Sequence, residues 1–200
     1  MNCIILGDRF NKGMKSRGCA ALIKKDKSAT IIDNQYKIIK DKFNPKNIIY
    51  VYGFDSKRFL NYISKNDYLN IITIFNENYE TKNSGYSLSL AQGFLGESTI
   101  IIDGYNFISK SIFKNWDDNL SKILVSEKST SSLGCISNNG FVENISYDLD
   151  NKLCDIFYFT KDASKHLKQR LSTNKYSNAF LFEILNDMID DGIKLMCHRI

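Results

Sequence analysis

The chain has 200 residues, 43% of them hydrophobic, a net charge of +5 and a pI near 8.8. A chain of this size suits one domain over residues 1–200 that buries its core without staples, and it contains no run of about 18 apolar residues that could cross a bilayer. Its 27 Lys and Arg are spread along the chain, not gathered into a stripe with interleaved aromatics, which argues against a nucleic-acid partner.

Five scattered cysteines, Cys3, Cys19, Cys135, Cys154 and Cys197, include no Cys-x-x-Cys pair and read as the reduced thiols of a cytoplasmic protein. The apolar segment Cys3-Ile4-Ile5-Leu6 is too short for a secretory leader. Oligomeric state is left open.

In chain order, residues 2–6 read as a first strand and 7–18 as a glycine-bearing basic loop, followed by a short apolar piece at 20–23. A helix over 31–43 stops before Pro45, and 48–52 is a buried strand closed by Gly53. A helix at 58–64 and a strand at 69–75 come next. Residues 84–94 carry Leu88, Leu90, Ala91 and Phe94 at helical spacing behind the capping side chains Asn83, Ser84 and Ser87. Thr99-Ile100-Ile101-Ile102 is a β-branched run of the kind covered on both faces.

Beyond it lie a strand at 120–127 and a hairpin, 133–137 with 140–145, turning at Asn138-Asn139-Gly140. A strand at 153–160, helices at 163–171 and 179–191, and a short strand at 193–197 complete the pattern. Strands alternating with helices in the first half predict an α/β fold with a mostly parallel, doubly wound sheet.

Such sheets bind ligands beyond the C-terminal ends of their strands, where Asp103 emerges. Arg9, Lys15 and Arg17 lie between Gly7 and Gly18, where glycines permit close backbone approach to an anion. A helix start at Asn83, Ser84 and Ser87 facing a cleft is also an anion site. Other groups have plainer readings. His166 and His198 lack a carboxylate partner and read as surface residues, Cys19 lacks a base, and Asp117-Asp118 caps a helix. Phe157-Tyr158-Phe159 is strand core.

Taken together, Ile4-Ile5-Leu6-Gly7-Asp8-Arg9, Arg17-Gly18-Cys19-Ala20-Ala21-Leu22, Val51-Tyr52-Gly53-Phe54, Asn83-Ser84-Gly85-Tyr86-Ser87-Leu88 and the strand ending at Asp103 resemble the nucleotidyltransferases of the sugar-phosphate and phosphocholine cytidylyltransferase kind. The resemblance covers nearly the whole chain and implies a Rossmann-like, three-layer fold. It implies transfer of a nucleotidyl group from a nucleoside triphosphate to a small phosphorylated acceptor, with release of pyrophosphate and help from Mg2+. On it, Gly7, Arg9, Lys15 and Arg17 serve the phosphates, Asn83, Ser84, Ser87 and Tyr105 line the substrate side, and Asp103 contacts the metal.

The sequence departs from the family pattern in the same region. The opening loop is shorter, Ala20 stands where the family has its phosphate-binding Lys, and Tyr105 stands where it has its metal-binding Asp. The region that normally supplies a second carboxylate would lie beyond residue 200. These departures point to the alternative of a catalytically degenerate member that binds nucleotide or serves assembly. A glycosyltransferase would need an Asp-x-Asp motif, which Asp103-Gly104-Tyr105 does not supply.

Overall fold

A computed structural model describes residues 1–10, 15–24 and 29–200. The stretch 11–14 of the basic loop lies outside the described residues. Among those described, nine strands form one sheet in the order β3-β2-β1-β4-β8-β5-β9-β7-β6. Its first part is the expected parallel unit. β1 (Asn2–Leu6) lies between β2 (Asn47–Tyr52) and β4 (Thr99–Asp103), and β3 (Ile71–Phe75) is the outer strand.

The helices between these strands follow local chemistry. α1 (Ile31–Phe43) begins at a reciprocal box, in which Thr30 Oγ1 accepts from the Asp33 amide and Asp33 Oδ2 from the Thr30 amide. It ends at Asn44 in the left-handed region, just before Pro45. α2 (Ser56–Lys65) buries Phe59 against Tyr50 and Tyr52.

Alternate residues of the strands feed two cores. Ile5, Tyr50, Ile100 and Ile102 face α1 and α2, whereas Ile4, Leu6, Val51 and Ile101 face α3 (Ser84–Leu90), α4 (Lys161–Leu171) and α5 (Leu181–Asp190). The expected helix over 84–94 is interrupted at Ala91 and resumes as a 3₁₀ turn, Gln92–Phe94. The piece at 20–23 is likewise a 3₁₀ turn, Ala20–Leu22.

The sheet is mixed, which corrects the expectation of a mostly parallel one. After β4 the chain returns through strands and a hairpin instead of crossover helices, and hairpins give antiparallel pairs. β5 (Lys122–Val125), β6 (Leu133–Asn138), β7 (Phe141–Tyr147) and β8 (Asn151–Phe159) follow one another, and β9 (Met196–Arg199) completes the group. β6 and β7 join through a two-residue turn with positive φ at Asn139 and Gly140, as the Asn-Gly signal predicted.

β8 runs antiparallel to β4, β5 and β6, so β8-β5-β9-β7-β6 closes into a five-stranded ring. The terminal strand lies later than its expected 193–197. The Ile193 amide closes α5 on the Met188 carbonyl with Gly192 at φ 87°, and the strand then aligns Lys122 with Met196. No helix among the described residues is long and apolar enough to cross a membrane.

Candidate functional site

A cavity of about 420 Å³ opens where the parallel strands meet the ring. Its polar lining includes Asp8, Arg9, Ser84, Asp103, Tyr105 and Asp155. Tyr147, Phe180 and Phe182 form an aromatic side of the same cavity.

The floor is set by the ends of β1 and β4, paired through Leu6 and Asp103. The Gly104 amide donates to the Leu6 carbonyl at 2.8 Å, and a Cβ on Gly104 would lie 2.4 Å from the Gly7 Cα. Only glycine permits this approach. Gly7 therefore supports the floor and is not among the lining residues; a Cβ there would meet the Tyr50 hydroxyl. The fully buried Gln35 of α1 ties down the loop after β4, donating to the carbonyls of Asp103 at 2.9 Å and Asn106 at 2.8 Å.

Three carboxylates share the cavity. Asp8 is almost wholly buried, and its Oδ2 accepts from Asn76 Nδ2 at 2.7 Å and Ser87 Oγ at 2.8 Å. Burial pushes its carboxyl up, against the pull of those two bonds. Asp103 is pushed up to about 7, first by burial and next by the Asp155 charge. Its Oδ1 accepts from the Tyr105 amide at 2.8 Å. Burial likewise raises Asp155 to about 6.

Asp155 owes its placement to a bulge in β8. Ile123 faces Phe157 but Val125 faces Leu153, so β8 spends two extra residues there. Asp155 adopts φ 53°. Bulges commonly re-aim a side chain beside a site. β8 also changes partner at this place, from β4, ending at Ile156, to β6, beginning at Lys152.

Of the residues singled out from sequence, Arg9, Ser84, Asp103 and Tyr105 line the cavity. Ser87 is buried behind it and holds Asp8. Asn83 is engaged elsewhere, its side chain donating to the Asn178 carbonyl at 2.8 Å. Lys15 and Arg17 sit in an exposed 3₁₀ turn and are not among the lining residues; Lys15 Nζ lies 5.4 Å from the Phe10 ring centre. The Tyr105 hydroxyl donates to the Arg9 carbonyl, linking the two sides of the mouth.

Asp8, Asn76 and Asp155 reach or support the site without having been singled out from the sequence. Asp8 adjoins Arg9, which was a usable signal. Asp155 was visible as a lone charge inside Leu153-Cys154-Asp155-Ile156-Phe157, an apolar strand that a carboxylate enters only at a cost.

Comparison with solved structures places the arrangement. The CTP:phosphocholine cytidylyltransferase of Streptococcus pneumoniae superimposes with a TM-score of 0.79 at 19% identity, over 100% of this chain and 89% of that one. This chain has the nucleotidyltransferase fold. The inositol-1-phosphate CTP transferase of T. maritima carries the same fold, with a TM-score of 0.75 at 16% identity over 99% of this chain and 84% of that one. So does the nucleoside-diphosphate-sugar pyrophosphorylase of Vibrio cholerae, at 0.69 and 10% identity over 100% and 92%. No family model and no curated protein sequence matches the chain. In this nucleotidyltransferase fold the cavity lies beyond the C-terminal ends of β1 and β4, the general ligand position of open α/β sheets.

Proposed function

We propose that the protein transfers a nucleotidyl group from a nucleoside triphosphate to a small phosphorylated acceptor, such as a sugar phosphate or phosphocholine, and releases pyrophosphate. The observation that carries this reading is the convergence of Arg9, Asp103 and Asp155 on one cavity. The similarly folded proteins from S. pneumoniae and T. maritima, described as acting with CTP, support the same class of reaction.

In this reaction an acceptor phosphate oxygen attacks the α-phosphorus, and the bond from that phosphorus to the β-phosphate bridging oxygen breaks. The guanidinium of Arg9 holds triphosphate oxygens as negative charge shifts toward the departing pyrophosphate. Lys15 and Arg17, on the same loop, attract the incoming anion. Ser84 offers a hydroxyl at the cavity wall, and Ser87 acts indirectly by fixing Asp8.

The donor set fits magnesium. Mg2+ takes oxygen ligands and is commonly bound by one or two carboxylates together with substrate phosphates. Asp103 and Asp155 supply two enclosed carboxylates, both held up by burial and Asp103 also by the Asp155 charge, which is the condition a cation relieves. When bound there, the ion would offset charge on the transferring phosphoryl oxygens. Asp155 thus supplies a second carboxylate beside Asp103.

The assay is pyrophosphate release with Mg2+, the four common ribonucleoside triphosphates and dTTP, against a panel of sugar phosphates and phosphocholine. Turnover that falls at least about a hundredfold in Arg9→Ala and Asp155→Asn supports the reading. Silence across the whole panel opposes it.

A second reading, a catalytically degenerate nucleotide-binding module, is favoured by the Tyr105 hydroxyl closing onto the Arg9 carbonyl. It requires thermal stabilisation by nucleotide that is indifferent to magnesium, with no pyrophosphate formed.

A further inference from the structure

Away from the cavity, the five-stranded ring holds two thiols in contact. Cys135 Sγ on β6 and Cys197 Sγ on β9 lie 3.8 Å apart, although the residues are separated by 62 positions in sequence. Their strands are not neighbours, because β7 lies between them. The pair therefore reaches across the ring instead of joining adjacent ladder positions. Both side chains belong to the core in the ring, Cys135 buried with Val142 and Ile145, and Cys197 half-buried against that core.

A disulfide needs its sulfurs at about 2.05 Å. The sulfurs begin with less than 2 Å to close, a distance within reach of side-chain rotation. The two sulfurs also differ in character. A hydrogen bond from Cys135 holds the Cys197 thiol down, aided by Ser137 and the Arg199 guanidinium, and the same bond together with burial holds Cys135 up. The half-buried sulfur is thus the more nucleophilic of the two at neutral pH, with its resolving partner already in contact. Cys3 and Cys19 are buried, burial raises both thiols, and neither has a sulfur contact of this kind among the described residues.

We propose that Cys135 and Cys197 form a redox-active dithiol that hydrogen peroxide converts to a disulfide across the ring. The Cys197 thiolate attacks one peroxide oxygen, the O–O bond breaks, and the departing oxygen leaves as water after taking a proton. The Cys197 sulfenic acid is then attacked by the Cys135 sulfur. Its S–O bond breaks, and that oxygen leaves as a second water with the Cys135 proton. Two thiols and one peroxide give one disulfide and two waters, the sulfurs losing two electrons and the peroxide gaining them.

The bond ties β9 to the strand whose first residue, Leu133, lines the cavity just after Ser131 and Ser132. Oxidation therefore fixes one wall of the site from behind, without consuming a group in it.

The test exposes the full chain to hydrogen peroxide, followed by denaturation, thiol alkylation and intact-mass and peptide mapping. The expected product has lost ~2 Da, takes up two fewer alkyl groups, and yields a Cys135–Cys197 crosslinked peptide that a dithiol reductant dissolves. Its thermal midpoint rises on the order of 10 °C above the reduced form, since the loop closed is long. Cys135→Ser and Cys197→Ser each abolish the crosslink, and Cys→Ala at the same positions repeats the test if a serine variant fails to fold. Oxygen addition to Cys197 without a crosslink, or a disulfide engaging Cys3, Cys19 or Cys154, overturns the proposal from the parent protein alone.

Discussion

Replacing Asp103 by Asn should stabilise the metal-free protein at pH 8. The Asp103 carboxyl sits at about 7 in the fold, chiefly through burial and secondarily through Asp155, against 3.8 for an unperturbed group. As pH rises from about 4 the unfolded chain gives up this proton first, so the folded state binds more protons over the window and stability falls until about pH 7. The gap between 3.8 and about 7, at about 1.4 kcal/mol per pH unit, sets a ceiling of about 4 kcal/mol. Residual solvent contact and the coupling to Asp155 reduce this to a working figure of about 2 kcal/mol. The Asn oxygen keeps the acceptor used by the Tyr105 amide, so the charge alone is removed.

For a chain of this size the expected gain is a midpoint about 4–8 °C higher at pH 8. It should shrink toward zero near pH 4, where Asp103 is protonated in the fold and close to half-protonated in the unfolded chain. Thermal melts of parent and variant in EDTA, at half-unit steps from pH 4 to 8.5, provide the measurement. An equal gain at both ends of the range, or a loss at pH 8, would refute the electrostatic account of the Asp103 and Asp155 pair.

Tyr105→Phe removes the hydroxyl bond to the Arg9 carbonyl and should cost about 0.5–1.5 kcal/mol in urea denaturation while tightening nucleotide binding by calorimetry. Gly104→Ala should destabilise by about 3 kcal/mol or more, read as soluble yield and urea midpoint, because the new Cβ meets backbone at Gly7 and no flexible side chain can yield. Thr30→Ala opens the box at the start of α1 and should cost about 1–2 kcal/mol without altering ligand binding, since the cap lies away from the cavity.

Much of the fold was legible because local signals agreed with the global arrangement. The apolar run of β1, the stop of α1 before Pro45, and the Asn139-Gly140 turn each carried their own explanation. The mixed sheet was not legible, because nothing local in residues 151–159 announces a strand shared among β4, β5 and β6.

The candidate site divides in the same way. Ser84 and Asp103 lie at a helix start and a strand end, which sequence periodicity locates, Arg9 lies in the glycine-bearing loop after β1, and all three reach the cavity. Asn83 looked equivalent to Ser84, yet its amide satisfies the Asn178 carbonyl, a partner 95 positions away. Asp155 depends on a bulge and a left-handed backbone, features that follow from the register of two other strands.

β8 is shared by the two halves of the sheet, and this limits how the protein can move. A strand bonded along both edges divides its amide hydrogens between two ladders, so it exchanges all of them only after both neighbours have opened. Neither the parallel unit nor the ring can loosen separately without breaking this common ladder. Of the described cavity lining, the 126–132 connection and the turn before α5 lie outside these ladders and can shift without breaking a strand pair.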